Sequence, residues 1–168
     1  FNQVSGLDTT SPVAQLAVQP HLLISEVQTR TSDANAEFVE LYNPTTYSID
    51  LADIGLKLWK KNSAGANTNI PLSPLRVISD KGYYLIASTN PINGVVADST
   101  YTYATYALLA NESVYISTSD TGDTGVIDIV GWGTAPGNEK RPFSTVSQPS
   151  AGDSIERKPG GLDGNGTD

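Results

Sequence analysis

"EFVELYNPT", residues 37–45, is the stretch that decides how the rest of the chain is read. Val39 and Leu41 alternate with Glu40, as they do in a strand with one face in a core. Asn43-Pro44 stops the run and starts a turn. The two glutamates raise a question of chemistry, because paired carboxylates can carry general acid–base work. In a strand, side chains three apart point to opposite faces, so Glu37 and Glu40 cannot face each other. Glu40 can meet Glu26 only across two neighbouring strands. A glycosidase pair needs carboxyl groups roughly 5–9.5 Å apart in a cleft, and no cleft is evident in the pattern. The expectation is therefore structural, with Val39 and Leu41 inward and Glu40 outward beside a Lys or Arg.

Working outward, the same strand-and-turn grammar recurs. "LLISEVQT" (22–29) precedes the stretch. "IGLKLWKK" (54–61) sets Ile54, Leu56 and Leu58 against Lys57 and Trp59, and the loop "NSAGAN" (62–67) follows. "GYYLIAS" (82–88) comes after a Ser79–Gly82 turn, and "ESVYIST" (112–118) puts Val114 and Ile116 on one face. "GVIDIVGW" (125–132) follows the Gly/Asp loop "SDTGDTG" (119–125), and "DSIER" (153–157) is a short last run. Short strands spaced by turns, without helical periods, predict an all-β sandwich. Residues 89–110 are the least regular part; Tyr101 and Tyr103 share a face if they lie in a strand. Residues 1–20 read as an N-terminal arm or linker, in which Ser11-Pro12 can open a short helix over 13–18. The domain is placed at 21–160, followed by an acidic Gly-rich tail at 161–168.

Composition limits the function classes. A chain of 168 residues needs no disulfide or metal to hold a core. With no Cys, disulfides, thiolate metal sites and Cys nucleophiles are all excluded. The chain opens on Phe1 and contains no Met, as expected of a processed or excised piece. No apolar run is long enough to span a membrane as a helix. A net charge of −8 opposes nucleic-acid or anionic-membrane binding. Lys140, Arg141, Arg157 and Lys158 cluster near the C-terminal end and read as a solvated face.

The order of these runs resembles a known family. "HLLISEV" and "EFVELYNPT", then "DLADIGLKLWKK", "ISDKGYYLIAS", "ESVYIST", "VIDIVGWG" and the closing "DSIERKPGG" resemble a lamin-tail domain of the bacterial, extracellular type. The resemblance covers roughly residues 21–160, and the "ISEV…EFVELYNPT" pair carries most of it. It implies an immunoglobulin-like β-sandwich of two mainly antiparallel sheets. It also implies an accessory module in a larger secreted or surface protein, often beside hydrolase domains. The nuclear branch uses its tail domain for protein and chromatin contacts. This chain departs from that branch, having neither preceding heptads nor basic character.

Candidate chemistry is sparse. His21 is the only His, too few for a zinc site or a triad without a nucleophile elbow. "GGLDGNG" is Gly-rich but no helix follows it to cradle phosphate. Asp163, Asn165, Thr167 and Asp168 present alternating oxygens like the opening of a calcium loop, without a downstream bidentate Glu. Asp120 and Asp123 in "SDTGDTG" form a second calcium candidate, though Asp and Gly also dominate ordinary turns. Tyr101, Tyr103 and Tyr106, with Trp59, are candidates for an aromatic platform that binds a glycan or a partner protein. Trp132 reads as a core or rim anchor. Asn111 and Asn165 open two sequons, relevant only to a eukaryotic secretory chain.

The reading is thus a non-catalytic interaction or scaffolding module, extracellular or at the cell surface. Its partners are neighbouring domains of the same chain, an extracellular protein or a glycan, and not nucleic acid. It requires no cofactor, with calcium the one candidate. A calcium-stabilised or carbohydrate-binding module is the alternative.

Overall fold

The computed structural model of the chain describes residues 22–29, 36–88, 94–135, 149–150 and 152–157. His21, the N-terminal arm, Lys140, Arg141, Lys158 and the tail candidates Asp163, Asn165, Thr167 and Asp168 lie outside the described residues. In chain order the elements are β1 (Leu23–Gln28), β2 (Phe38–Tyr42), β3 (Ile49–Asp50), β4 (Lys57–Lys61), β5 (Asn67–Ile70) and β6 (Val77–Ile78). They continue with β7 (Tyr83–Ser88), β8 (Ser99–Tyr101), α1 (Tyr103–Tyr106), β9 (Ser113–Ser117), β10 (Val126–Gly131) and β11 (Ser154–Glu156).

The strands form a five-stranded sheet, β11-β1-β2-β7-β8, a four-stranded sheet, β10-β9-β4-β5, and a two-stranded ribbon, β3-β6. All pairings are antiparallel except β7–β8. The alternation read from sequence sets the inner faces. Val27, Val39, Leu41 and Ile86 from one sheet share a core with Leu58, Ile70, Val114 and Ile116 from the other. This is the two-layer, immunoglobulin-like sandwich. Leu51 and Ile78 join the same core, so the β3–β6 ribbon closes one pole of it. Trp132 is fully buried and donates its indole N–H to Leu109 O at 2.7 Å, the core anchor expected of it.

Three expectations are corrected. The alternation from Ile54 begins too early: β4 starts at Lys57, after a turn over 51–55 that ends on Gly55 at φ +63. A left-handed residue there breaks the period, and Ile54 is left at the surface. Tyr103 lies in a helical turn and not a strand, so it does not share a strand face with Tyr101. Arg157 is not on a solvated face. Its Nη2 meets both Asp128 carboxylate oxygens at 3.0 and 3.1 Å, and its Nε donates to Ile24 O at 3.2 Å. Asp128 Oδ2 also accepts Ile24 N–H at 2.6 Å. Since Asp128 is on β10 and Ile24 on β1, this ion pair ties the two sheets together.

Candidate functional site

The carboxylates of the opening stretch divide by depth. Glu37 is 1% exposed, and its Oε2 accepts Leu108 N–H at 2.8 Å and the Tyr101 hydroxyl at 3.4 Å. It holds down the segment after α1. Glu112 does the same, accepting Leu109 N–H at 2.9 Å, with Lys60 Nζ at 3.7 Å. Lys60 lies on the inward face of β4 and caps Ala107 O at 2.6 Å. Sequence reasoning gave none of these roles. The only signal was an acidic residue at the flank of each apolar run.

Glu40 does face outward, but not beside a cation. It stands opposite Glu26, which in turn stands opposite Glu156, so three carboxylates form one row across β2, β1 and β11. The Ser25 hydroxyl donates to Glu40 Oε1 at 2.6 Å. Burial raises the Glu40 pKa above the ordinary value; the Ser25 bond offsets part of this, and Glu26 and Glu156 add to it. The folded chain therefore holds this proton more tightly than the unfolded chain. Stability from Glu40 is present below the ordinary carboxylate value and is lost as pH rises through the raised one. Asp123 has the opposite sign. Hydrogen bonds from Lys61 and then Asn67 lower its pKa, so its contribution is present above the ordinary value and lost as pH falls through the lowered one.

Urea midpoints measured from about pH 3 to 7 separate the two groups. Glu40→Gln is expected to stabilise at neutral pH by about 0.5 kcal/mol, a typical size for like charges facing across strands, and to give no gain in acid. Asp123→Asn is expected to destabilise at neutral pH by less than about 1 kcal/mol, because the pair is solvent-screened.

The "SDTGDTG" loop forms a strap over the outer face of the four-stranded sheet. Lys57 Nζ reaches Asp120 Oδ1 at 3.1 Å, and Lys61 Nζ donates to Asp123 Oδ1. Asn67 Nδ2 donates to Asp123 Oδ2 at 2.8 Å. At Gly122 a Cβ would sit 2.5 Å from Asn67 Nδ2, so this close approach requires glycine. Both Asp candidates for calcium thus engage lysines in the structure. Among the described residues no group of three or more His, Cys, Asp or Glu is placed to hold a metal.

The aromatic candidates do not assemble. Tyr101 is buried in the core, and burial beside Glu37 holds its phenol well above the ordinary pKa. It is not available to a surface ligand, because it is 3% exposed and belongs to the sandwich core. Tyr103 and Tyr106 are half-buried on α1. Trp59 lies on the other sheet, 9% exposed, parallel to Tyr115 with ring centroids 6.2 Å apart. Asn111 turns its side-chain oxygen to Thr134 N–H at 2.9 Å.

A concave surface among the described residues lies at the pole closed by β3–β6. It is a groove of about 450 Å³ between the 47–54 segment and the ends of β9 and β10. Tyr47, Ile49, Ile54 and Ile127 give it apolar walls, and Asp50 and Asp53 line it as well. Asn43 of the opening stretch builds it. Its side chain is buried and donates to Tyr47 O at 2.8 Å and Ser79 O at 2.9 Å. Its Oδ1 accepts from Thr45 N at 3.0 Å and Thr45 Oγ1 at 2.7 Å. The turn that presents Tyr47 is therefore specified by Asn43 and Thr45 directly, as an Asx turn. Asp50 Oδ1 similarly accepts Ala52 N at 2.9 Å and Asp53 N at 3.3 Å, shaping the turn that carries Ile54.

A family model described as the lamin tail domain matches residues 15–134, well over half of the chain. No curated protein matches the sequence. Among the described residues no helix is long and apolar enough to cross a membrane.

Proposed function

The chain belongs to the lamin tail domain family, and on that footing we propose that it serves as a non-catalytic interaction or scaffolding module of a larger secreted or surface bacterial protein. Five carboxylates among the described residues are engaged in structure. Glu37, Glu112 and Asp128 each accept backbone N–H groups, and Asp120 and Asp123 meet lysines. The observation that carries the reading is the pole groove. Its volume falls within the roughly 300–1,000 Å³ range of ligand pockets, and its lining among the described residues is mainly apolar, with Asp50 and Asp53 and with no His, Cys or Lys to act as a base or nucleophile beside them. A surface of this kind holds a partner by complementarity.

A photo-crosslinking residue at Tyr47 of the full-length protein tests this. A defined crosslink to a neighbouring domain or a partner is expected, and Ile54→Asp should abolish it. Crosslinking no greater than from a control at exposed Val96 would contradict the reading. No cofactor is required in this account. Adding calcium and then chelator is expected to leave the melting temperature unchanged, whereas a calcium-dependent rise would transfer the function to the acidic tail.

A further inference from the structure

We propose that the pole groove receives a basic, aliphatic segment of a partner polypeptide. This rests on the reading of the groove as the contact surface and names the chemistry of what enters it. Tyr47 and Ile54 are 55% and 36% exposed, and they come together with Ile49 and Ile127 in the lining of one groove. The charged side chains in the lining are Asp50 and Asp53; among the described residues no Lys or Arg lines it. Asp50 uses Oδ1 to shape its own turn. The Asp53 carboxylate is exposed and has no hydrogen-bond or ion-pair partner among the described residues.

A lysine or arginine matches this arrangement in both parts. Its methylene stem lies along aliphatic walls while its head reaches a carboxylate at the rim. An aliphatic neighbour on the same segment packs against Ile49, Ile54 and Ile127. The chain's net charge of −8 draws a basic segment and repels an acidic one before contact is made. The carboxylates thereby supply discrimination, and the isoleucines and Tyr47 supply non-directional burial.

The test is fluorescence anisotropy of the whole chain with three labelled peptides of one length, alternating leucine with lysine, serine or glutamate. The leucine–lysine peptide is expected to bind about tenfold or more tighter than the leucine–serine peptide, with the glutamate peptide weakest. Asp53→Asn should remove most of that preference with the melting temperature unchanged, and added salt should mimic it. Asp50 is left intact because it shapes the turn. Equal binding of the lysine and serine peptides, both lost in Ile54→Asp, would overturn the basic partner and leave the groove as contact surface. Lysine-peptide binding indifferent to both Asp53→Asn and Ile54→Asp would place the contact elsewhere, such as the Glu26–Glu40–Glu156 row, and overturn both. Binding of no peptide would also overturn both.

Discussion

Replacing Arg157 by alanine is expected to lower the unfolding free energy by about 3–5 kcal/mol, the usual loss when one member of a buried ion pair is removed. Asp128 would remain, nine-tenths buried or more, with its charge uncompensated. The effect goes beyond one contact, because the Arg157 side chain also caps Ile24 O from its Nε, while the backbone N–H bond to Ser25 O at 2.8 Å is kept in the alanine variant. Those bonds dock the short β11 on the edge of β1. For a domain whose whole stability is on the order of 5–15 kcal/mol, the loss is a large fraction. Arg157→Lys should recover only part of it, since an ammonium cannot reproduce the planar guanidinium that meets Asp128 from Nη2 while Nε reaches Ile24 O. A change in the urea midpoint equivalent to less than about 1 kcal/mol would mean that the pair is solvated, as exposed pairs are.

Asn43→Ala is expected to be the next most damaging change, at about 2–3 kcal/mol, because it leaves a buried N–H of Thr45 without its acceptor and removes two side-chain donors. Its functional effect should exceed its effect on stability. Without Asn43 the turn at 45–48 loses the bonds that set the position of Tyr47, so groove binding should fall even at temperatures where the sandwich is folded. Asn43→Asp separates the two halves of the role. It keeps the acceptor for Thr45 but places a carboxylate against the Tyr47 and Ser79 carbonyls, so it should disrupt the turn nearly as strongly. Unchanged peptide binding in a folded Asn43→Ala chain would dissociate this residue from the groove.

These two residues also mark the limits of what the sequence discloses. Val39, Leu41, Val114 and Ile116 were legible because a half-buried strand repeats every two residues, and that period needs no knowledge of partners. Trp132 was legible as an anchor because so large a ring in a β-branched run has few places to go. Asn43 was legible only as a punctuation mark. That it would be buried and bind both turns of the pole depends on β7 and the 79–82 turn coming alongside, a pairing that sequence spacing does not encode. Arg157 was misplaced among surface cations for the same reason: its carboxylate partner lies 29 residues earlier, on a different sheet. Lys60 looks like a surface lysine until the register puts it on the same face as Leu58. Glu40 was oriented correctly and partnered wrongly, because its row of carboxylates arises from two strand pairings at once. The groove could not be read at all. Its lining comes from four separated stretches, and Ile54 reaches it only because Gly55 interrupts an alternation that otherwise pointed inward.

The most direct test of the account is an amide chemical-shift titration of the isotope-labelled chain with the leucine–lysine peptide. The account predicts saturable shifts confined to Tyr47–Ile54, Thr118 and Ile127, with the Glu26, Glu40 and Glu156 amides unmoved. Shifts centred on that carboxylate row or on the 119–125 strap, or no shifts at any peptide concentration, would contradict it.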